Sequence, residues 1–389
     1  MVSDLDRTGT KMGEALPLAG ITVVEMGNNV ALPYGTWVLG RLGARVIKVE
    51  RPQSGDDARA WGPPFWQGTA AIFQVLNAGK QSMVVDLQNE AERARLRRLI
   101  LEEADAVLQS YRPGVVAKLG LDGPRLRRDK PGLIYCNLGA FGHKGPLKDR
   151  PGYDALMQAF GGIMSVTGEE GRPPVRVGVS IVDSGTGMWC VIGVLAALQR
   201  RAATGQGCVI DASLYETALG WMNVHAGDFH SVGQINRRRG TATRGIAPYQ
   251  GYECADGFLI IGAANDRLFR ALCQALGHPE WGADPRFLDN AKRYANLAEL
   301  NRLLGDLLNT KPRAHWQALL DAASVPNAPI QAIDEVLAHP QTQALGMVQA
   351  TDDGRLRQMA LPLSFDGERP PAGASAPGLG QHGAAVKSG

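Results

Sequence analysis

The sequence lacks the features that mark several classes of protein. Only five of its 389 residues are cysteine, and no CxxC pair occurs, which argues against a disulfide framework and against a zinc site. The opening residues contain no apolar stretch of the secretory type. The longest apolar run, Met188 to Leu198, is shorter than the roughly 20 residues that cross a bilayer. We therefore expect a soluble, cytoplasmic protein with reduced thiols and no membrane partner.

The net charge of the chain is also small. The 41 basic and 38 acidic side chains leave a formal charge of only +3. One short basic run, Arg237–Arg239, interrupts an otherwise mixed pattern. It fits a solvated loop, or a local partner for an anionic ligand or a second chain. Because no longer stripe of Lys and Arg follows, we expect no nucleic-acid partner.

Several catalytic motifs are missing. Neither GxSxG nor GxxxxGK[ST] occurs, which argues against an α/β-hydrolase elbow and against a P-loop. A GxGxxG match at Gly378–Gly383 lies six residues from the end of the chain, so the helix that a dinucleotide site requires cannot follow it. His225 and His230 are five residues apart, an offset that does not stack two ligands on one helix face. We predict no metal site and no tightly bound cofactor.

The first half of the chain alternates short apolar segments with helical patterns. This alternation predicts an α/β fold with a mostly parallel sheet, whose ligands bind beyond the carboxyl ends of the strands. We therefore expect ligand contacts in Asn77–Lys80 and Gly139–Gly145, among other segments near strand ends. The predicted strands are Ile21–Glu25, Arg45–Glu50, Ser82–Leu87, Ala106–Leu108 and Leu133–Cys136, and the predicted helices include Ala31–Leu42 and Asn89–Glu103.

With 389 residues the chain is too long for one ordinary domain. We expect a loose N-terminus over 1–15 and a large domain over 16–222. A polar, basic linker and a smaller α/β domain should occupy 223–330. In that part, Asp256-Gly257 between apolar stretches predicts a β-hairpin. A C-terminal segment over 331–389, rich in Pro, Gly and Ala near its end, completes the chain.

After these motifs are excluded, Asp183 is the remaining candidate for a catalytic residue. It follows an extended segment and precedes Ser184–Gly187 and an apolar, buried helix predicted over Met188–Arg201. One interpretation is a helix cap, since Asp accepts hydrogen bonds from free helix amides. The other is a carboxylate nucleophile. In that case Gly185 and Gly187 would leave room for a thioester and expose amides to an oxyanion. Spacing alone does not choose between them.

Several motifs, taken in order along most of the chain, are specific. Together they resemble the family III CoA-transferases, the group that includes formyl-CoA:oxalate and carnitine CoA-transferases and α-methylacyl-CoA racemase. The matching stretches are Pro17–Ile21, Leu42–Pro52, Gly55–Arg59, Asn77–Ser82, Tyr111–Gly114, Pro151–Asp154, Asp183–Met188 and Ala255–Gly257.

The resemblance implies a fold and a reaction. The large domain would be Rossmann-like and completed by the C-terminal segment, with a smaller domain inserted, and two chains would interlock as a homodimer. Asp183 takes the position of the family's catalytic aspartate. It would form a mixed anhydride with the acyl group and then an aspartyl-CoA thioester, with acyl-CoA and a carboxylic acid as substrates.

The resemblance also implies binding residues. Arg51 and Lys118 match positions used for the nucleotide end of CoA, while Lys80 and Asn77 lie in the matching Asn-x-x-Lys stretch. Candidate substrate contacts are Val30, Tyr153, Gly185 and Gly245.

Two departures from the family pattern narrow the reaction. Val30 stands where formyl-CoA transferases have glutamine, which argues against an oxalate/formate pair. Tyr153 replaces a histidine that serves the racemases as a base. Tyrosine is a poor general base near neutral pH, so the sequence favours a transferase over a racemase.

Three functions stay open at this point. The first is transfer of CoA from an acyl-CoA such as succinyl-CoA to a short-chain carboxylic or dicarboxylic acid, where Arg172, Arg176 or Arg244 would pair with a remote carboxylate. The second is a racemase or isomerase of 2-methylacyl-CoA. The third is a non-catalytic CoA-binding protein in which Asp183 is only a cap.

Overall fold

The structure, a computed structural model, describes residues 16–383. The predicted loose N-terminus over 1–15 lies outside the described residues. The chain divides into two compact units. The first contains the described parts of Met1–Ile163, Val177–Gly233 and Pro340–Gly389, and the second contains Met164–Arg176 and Gln234–His339. The predicted domain limits stay a prediction.

The strands, numbered in chain order, fall into one large sheet and several small ones. They are β1 Thr22–Met26, β2 Arg45–Glu50, β3 Phe65–Trp66, β4 Thr69–Ala70, β5 Gln81–Val84, β6 Ala106–Gln109, β7 Ile134–Gly139, β8 Val209–Ser213, β9 Tyr249–Cys254, β10 Gly257–Gly262, β11 Asn327–Pro329, β12 Val348–Ala350 and β13 Arg357–Met359.

The helices are numbered in the same way, with short 3-10 turns at Asp57–Ala60 and Pro279–Ala283. They are α1 Ala31–Arg41, α2 Ala71–Leu76, α3 Glu90–Glu103, α4 Val115–Lys118, α5 Gly123–Asp129, α6 Asp154–Phe160, α7 Ile163–Val166, α8 Ile181–Thr204, α9 Leu214–Trp221, α10 Asn223–Val232, α11 Asp266–Ala275, α12 Asn290–Ala295, α13 Leu297–Leu308, α14 Arg313–Ala322, α15 Ile333–Ala338 and α16 Pro340–Ala344.

The predicted parallel sheet is confirmed. Six strands of the first unit pair in parallel in the order β5-β2-β1-β6-β7-β8. Counted along the chain, this is the order 3-2-1-4-5-6 that is typical of dinucleotide-binding folds. The five predicted strands all belong to this sheet, whereas its edge strand β8 was not predicted from the sequence. The strand order reverses between β1 and β6, and this is where such sheets bind ligands.

Both faces of the sheet are covered by apolar side chains, as parallel sheets require. On one face, residues of α1 and α8 such as Leu39 and Val194 pack against Val23 and Leu108. On the other face, residues of α3 and α5 such as Ile100 pack against Val24 and neighbouring strand residues. The first face positions the site described below, because it carries Asp183.

Helix α8 differs from its prediction in length and burial. It begins at Ile181 rather than Met188, and runs for 24 residues. It was expected to be buried, yet Met188, Trp189 and Ile192 are 46–50% exposed. By length and a mean hydropathy of 1.7 it is long and apolar enough to cross a membrane, and 44% of that window is buried in the structure. The prediction that the chain has no membrane partner stays a prediction.

The linker expected between His225 and Gly245 is in part a helix. Residues Asn223–Val232 form α10, none of whose residues is buried. The sequence did not predict this helix, because the segment is polar and has no apolar stripe that would be buried within one chain.

The second unit has its own core. Strands β9 and β10 form the predicted hairpin around Asp256-Gly257, and β11 extends this antiparallel sheet. Side chains of α11, α13 and α14, among them Leu272, Leu304 and Trp316, bury one face of it. The apolar periodicity of the sequence also predicts helices around Asp266–Leu276, Asn296–Asn309 and Pro312–Ala323, and the structure confirms them as α11, α13 and α14.

Candidate active site

Asp183 lies in the first turn of α8, in the third helical position. Ser180 occupies the N-cap position but caps nothing with its side chain. The cap comes instead from α6, because Asp154 Oδ2 accepts the backbone N–H groups of Val182 at 2.8 Å and Asp183 at 3.1 Å. The interpretation of Asp183 as a helix cap is therefore wrong.

The carboxylate of Asp183 is left available. Within residues 16–383 it accepts no hydrogen bond and forms no ion pair. Burial and, to a smaller extent, the negative charge of Asp154 together raise its pKa to about 7. A carboxyl group with a pKa near neutrality is a stronger nucleophile than an ordinary aspartate and is still partly ionised at pH 7.

Asp154 is itself held in place. It is 7% exposed, and its Oδ1 accepts a hydrogen bond from Gln158 Nε2 at 2.5 Å. Gln158 Oε1 in turn accepts the N–H of Val177 at 2.8 Å. These contacts link α6 to the segment that precedes α8. They hold in place the first turn of α8, which carries Asp183. Sequence reasoning missed this role, although Asp154 lies in the matched stretch Pro151–Asp154.

Helices α8 and α1 approach each other one turn beyond Asp183. A Cβ on Gly187 would lie 2.5 Å from the carbonyl oxygen of Ala31, and one on Gly35 would lie 2.8 Å from the carbonyl oxygen of Gly187. Such distances exclude any side chain at these positions. Gly187 is four residues after Asp183, and therefore on the same helix face. Asp183 therefore lies on the face of α8 that packs against the start of α1.

The role expected of the glycine amides is wrong. Gly185 and Gly187 lie inside α8, where backbone amides bond to carbonyl groups one turn earlier and cannot reach an oxyanion. A Cβ on Gly185 would lie 2.8 Å from the Trp221 ring of α9. The glycines serve helix packing instead, and a substrate contact of Gly185 stays a prediction.

Two of the candidate substrate residues lie near these elements. Val30 is 8% exposed and occupies the N-cap position of α1, in the loop after β1. Tyr153 precedes α6 directly and is 58% exposed. Their neighbours in sequence, Ala31 and Asp154, contact α8, so both flank the helix start that carries Asp183. Gly245 belongs to the second unit, where its carbonyl oxygen accepts a hydrogen bond from Asn290 at 2.8 Å.

Arg51 and Lys118 are both exposed at carboxyl-end segments of the large sheet. Arg51 follows β2, and its guanidinium group donates to Ser54 Oγ at 2.7 Å and contacts Asp57. Lys118 ends α4, which follows β6. Both positively charged side chains therefore lie near the carboxyl ends of the strands, where sheets of this kind bind their ligands. Their contact with CoA stays a prediction.

Lys80 and Asn77 occupy a different environment. Both are buried, with Lys80 3% exposed, and they precede β5, so they lie at the amino end of that strand rather than beyond a carboxyl end. The ammonium group of Lys80 contacts Asn77 Oδ1 at 2.9 Å, the Pro33 carbonyl at 2.9 Å and Glu25 Oε2 at 2.8 Å.

No metal centre can be assembled from the described residues. Within 16–383 no group of three or more His, Cys, Asp or Glu side chains is arranged to hold a metal ion.

Comparison with known proteins agrees with this geometry. The CoA-transferase family III model matches residues 18–383. The acetyl-CoA:oxalate CoA-transferase of Acetobacter aceti is 35% identical over 95% of both chains. The succinate–glutarate CoA-transferase of Agrobacterium fabrum is 35% identical over 95% of this chain and 94% of its own. A solved CaiB/BaiF family protein from Brucella suis superposes with a TM-score of 0.89 at 39% identity, covering 96% of this chain and 99% of that chain.

The chain therefore belongs to CoA-transferase family III. It is a CoA-transferase, and the named relatives of this family use acyl-CoA as a substrate.

Proposed function

We propose that the protein transfers CoA from succinyl-CoA to a short-chain carboxylic or dicarboxylic acid, through covalent intermediates on Asp183. One observation carries the proposal. The carboxylate of Asp183 accepts no hydrogen bond from residues 16–383, because Asp154 caps the helix in its place. Asp183 is half-buried, and its pKa is raised to about 7; a carboxyl group whose pKa is perturbed in this way is typical of a functional site.

The reaction proceeds by four acyl-transfer steps. An Asp183 oxygen attacks the thioester carbon of the donor, the C–S bond breaks, and a mixed anhydride and CoA thiolate result. The thiolate attacks the aspartyl carbon, which releases the donor acid and leaves an aspartyl-CoA thioester. The acceptor carboxylate attacks this thioester and frees the thiolate again. The thiolate then attacks the acceptor acyl carbon, which forms the product and restores the Asp183 carboxylate.

The chain's own residues set the conditions for these steps. Burial of Asp183 strengthens the nucleophile by raising its pKa to about 7. The N-terminal end of α8 carries a partial positive charge that favours the returning carboxylate in the last step. The thiolate must stay close between steps, and exposed Arg51 and Lys118 are the proposed anchors for the phosphate groups of CoA.

The substrate class is supported by the names of the relatives. Curated relatives use succinyl-CoA with glutarate or D-citramalate, and acetyl-CoA with oxalate. A second carboxylate on the acid requires a cation at a distance from Asp183. Arg172, Arg176 and Arg244 are the candidates, and all belong to the second unit. If none of the three Arg→Ala variants changes the preference for dicarboxylates over monocarboxylates, this part of the proposal fails.

We also propose that the protein is a cytoplasmic homodimer, interlocked as the family resemblance implies. The exposed apolar side chains of α8 support a partner surface, since Met188, Trp189, Ile192 and Leu195 are all 38–50% exposed and lie near one face. A sedimentation experiment tests the dimer: a dimer mass supports it, and a monomer at micromolar concentration overturns it.

The experiment that tests the function is a substrate screen. The purified protein is incubated in D₂O either with succinyl-CoA and one of a series of acids or with a 2-methylacyl-CoA alone, and the CoA thioesters are separated and analysed by mass spectrometry. A new thioester with unlabelled α carbons supports the transferase. Deuterium at the α carbon of a 2-methylacyl-CoA, without transfer, would instead indicate the isomerase.

A further inference from the structure

We propose that Lys80 is a positioning residue, which together with Glu25 fixes the loop between β1 and α1 against the helix that carries Asp183, and that it does not bind a phosphate of CoA. The proposal rests on the function proposed above only for its catalytic readout.

The donors of Lys80 are all used within the chain. A lysine ammonium group has three N–H donors, and that of Lys80 meets Glu25 Oε2, Asn77 Oδ1 and the Pro33 carbonyl at 2.8–2.9 Å. Its side chain is 1% exposed. A phosphate would have to displace one of these acceptors and enter the core, so the buried position does not suit a ligand contact.

Lys80 belongs to a buried cluster of four charges. Glu25 lies between the ammonium groups of Lys80 and Lys48, and Lys48 also contacts Asp56 Oδ2 at 2.8 Å. The side chains of Glu25, Lys48 and Asp56 are essentially inaccessible. Burial alone would raise the pKa of Glu25, but the two ammonium groups outweigh it and lower this pKa to about 2. The cluster is therefore two ion pairs with no net charge.

The cluster holds the loop after β1 at two points and the beginning of α1 at two more. Lys48 donates to the Gly27 carbonyl at 2.9 Å, and Asp56 Oδ1 accepts the N–H of Asn29 at 3.0 Å. Lys80 donates to the Pro33 carbonyl at 2.9 Å, and the Thr36 hydroxyl donates to Glu25 Oε2 at 2.6 Å. Asn29 adopts a φ of 73°, which non-glycine residues rarely keep without such support.

The loop leads into α1, which packs against the helix that carries Asp183. Ala31 and Gly35 in the first two turns of α1 approach Gly187 backbone to backbone. Gly187 is one turn from Asp183 on the same helix face. A displacement of the Pro33 carbonyl therefore moves α1 and, through the helix contact, the surroundings of Asp183. Reacting atoms tolerate little displacement there. The charges act on the reaction through this packing and need no contact with substrate.

The charge balance allows stability and positioning to be separated. Lys80→Met leaves the cluster with a buried excess negative charge, which destabilises a protein strongly. Adding Glu25→Gln removes that excess and leaves the Lys48–Asp56 pair. The double variant should therefore regain stability, whereas the Pro33 carbonyl still lacks its donor.

The test compares wild type, Lys80→Met, the double variant Lys80→Met/Glu25→Gln and the control Lys130→Met. Lys130 is a half-buried lysine that precedes β7 and contacts the Ile100 carbonyl of α3 at 3.4 Å, on the face of the sheet opposite to α1 and α8. Three quantities are measured for each: the melting temperature, the dissociation constant for CoA by calorimetry, and the rate of Asp183 acylation in a single turnover with saturating succinyl-CoA.

We expect the acylation rate to fall about tenfold or more in both Lys80 variants, with the CoA dissociation constant within about threefold of wild type. The melting temperature should fall in Lys80→Met and recover in the double variant, while Lys130→Met keeps rate and affinity. A rise of about tenfold or more in the CoA dissociation constant would show a phosphate ligand and overturn the proposal. So would an unchanged acylation rate in the double variant.

The binding measurement needs no turnover. If wild type shows no acylation at all, the proposed function fails. The CoA affinity of the Lys80 variants still decides whether Lys80 is a ligand.

Discussion

The carboxylate of Asp154 accepts the backbone N–H of Asp183 at 3.1 Å. One aspartate thus caps the helix while the other stands free of any described partner. The negative charge of Asp154 also raises the pKa of Asp183, in addition to the larger effect of burial. A single residue from α6 therefore both orients the nucleophile and tunes its basicity.

The first prediction concerns pH. Because Asp183 must be ionised to attack, kcat/KM should rise with pH and level off above about 7, the pKa of this carboxyl group. In Asp154→Asn the amide oxygen can still cap the helix but the repulsive charge is gone. We expect the acidic limb of the profile to move to lower pH. Asp154→Ala is the control, since it also loses the cap, at a cost of about 1 kcal/mol.

If the acidic limb of the pH profile lies at the same pH in Asp154→Asn as in wild type, Asp154 does not influence the ionisation of Asp183. The acceptor acid should have no group that titrates between pH 5 and 9. Because the phosphate monoester of CoA itself titrates at about pH 6, the wild-type and Asp154→Asn profiles are compared with the same acyl-CoA.

The second prediction concerns stability. The folded chain holds the Asp183 proton more tightly than the unfolded chain, because burial raises the folded pKa from 3.8 to about 7. Stability from this group is present at acidic pH and is lost as the pH rises through about 7. Asp183→Asn should abolish transferase activity and stabilise the protein at pH 8.5 by an amount on the order of 2 kcal/mol, with little gain at pH 4.5.

Thermal unfolding of both proteins at the two pH values checks this. Glu253→Gln, at an exposed position of β9, is the control for a carboxylate-to-amide change at the surface. An Asp183→Asn variant that is less stable than wild type at pH 8.5 would show that the carboxylate is stabilised rather than strained.

The third prediction concerns helix packing. Gly187→Ala places a methyl group 2.5 Å from the Ala31 carbonyl, so α1 and α8 must separate, at a cost of about 2 kcal/mol or more. Gly305→Ala in α13 is the matched control, because a Cβ there meets nothing within 4 Å. It should stabilise its helix by about 0.5–1 kcal/mol. Denaturant unfolding measures both, and equal effects of the two substitutions would refute the close helix contact.

The fourth prediction concerns the CoA anchors. Arg51→Ala and Lys118→Ala should each raise KM for succinyl-CoA and leave kcat nearly unchanged, since a distant phosphate contact stabilises the ground state and the transition state equally. The effect should shrink at high salt. Asp57→Asn is the opposite change, because it removes the carboxylate that Arg51 contacts, and it should lower KM. An unchanged KM for succinyl-CoA in both variants would show that neither Arg51 nor Lys118 contacts CoA.

The sequence predicted the large sheet well because its strands are short apolar segments with clear helices between them. Arg45–Glu50 was predicted with the bounds that the structure shows. The edge strand Val209–Ser213 was missed, because its residues are partly exposed and its pattern is mixed. Helix α8 was placed too late, since Asp183, Ser184 and two glycines near its start have low helix propensity and packing overrides it.

The site was predicted only in part, for a physical reason. The resemblance led to Asp183, but the roles of Asp154 and Lys80 depend on contacts across 29 and 47 residues of chain, which no local pattern contains. One signal was present. Glu25 and Lys48 are charged residues inside apolar strands, and buried charges of opposite sign are expected to pair.

The central claim is that Asp183 forms the covalent intermediate. Its most direct test is peptide mass spectrometry after incubation with succinyl-CoA and hydroxylamine, which converts an activated aspartyl group to a stable hydroxamate. We predict a hydroxamate on Asp183 that is absent without succinyl-CoA and absent in Asp183→Asn. An unmodified Asp183 in a protein that still transfers CoA, or a hydroxamate on another carboxylate, would contradict the account.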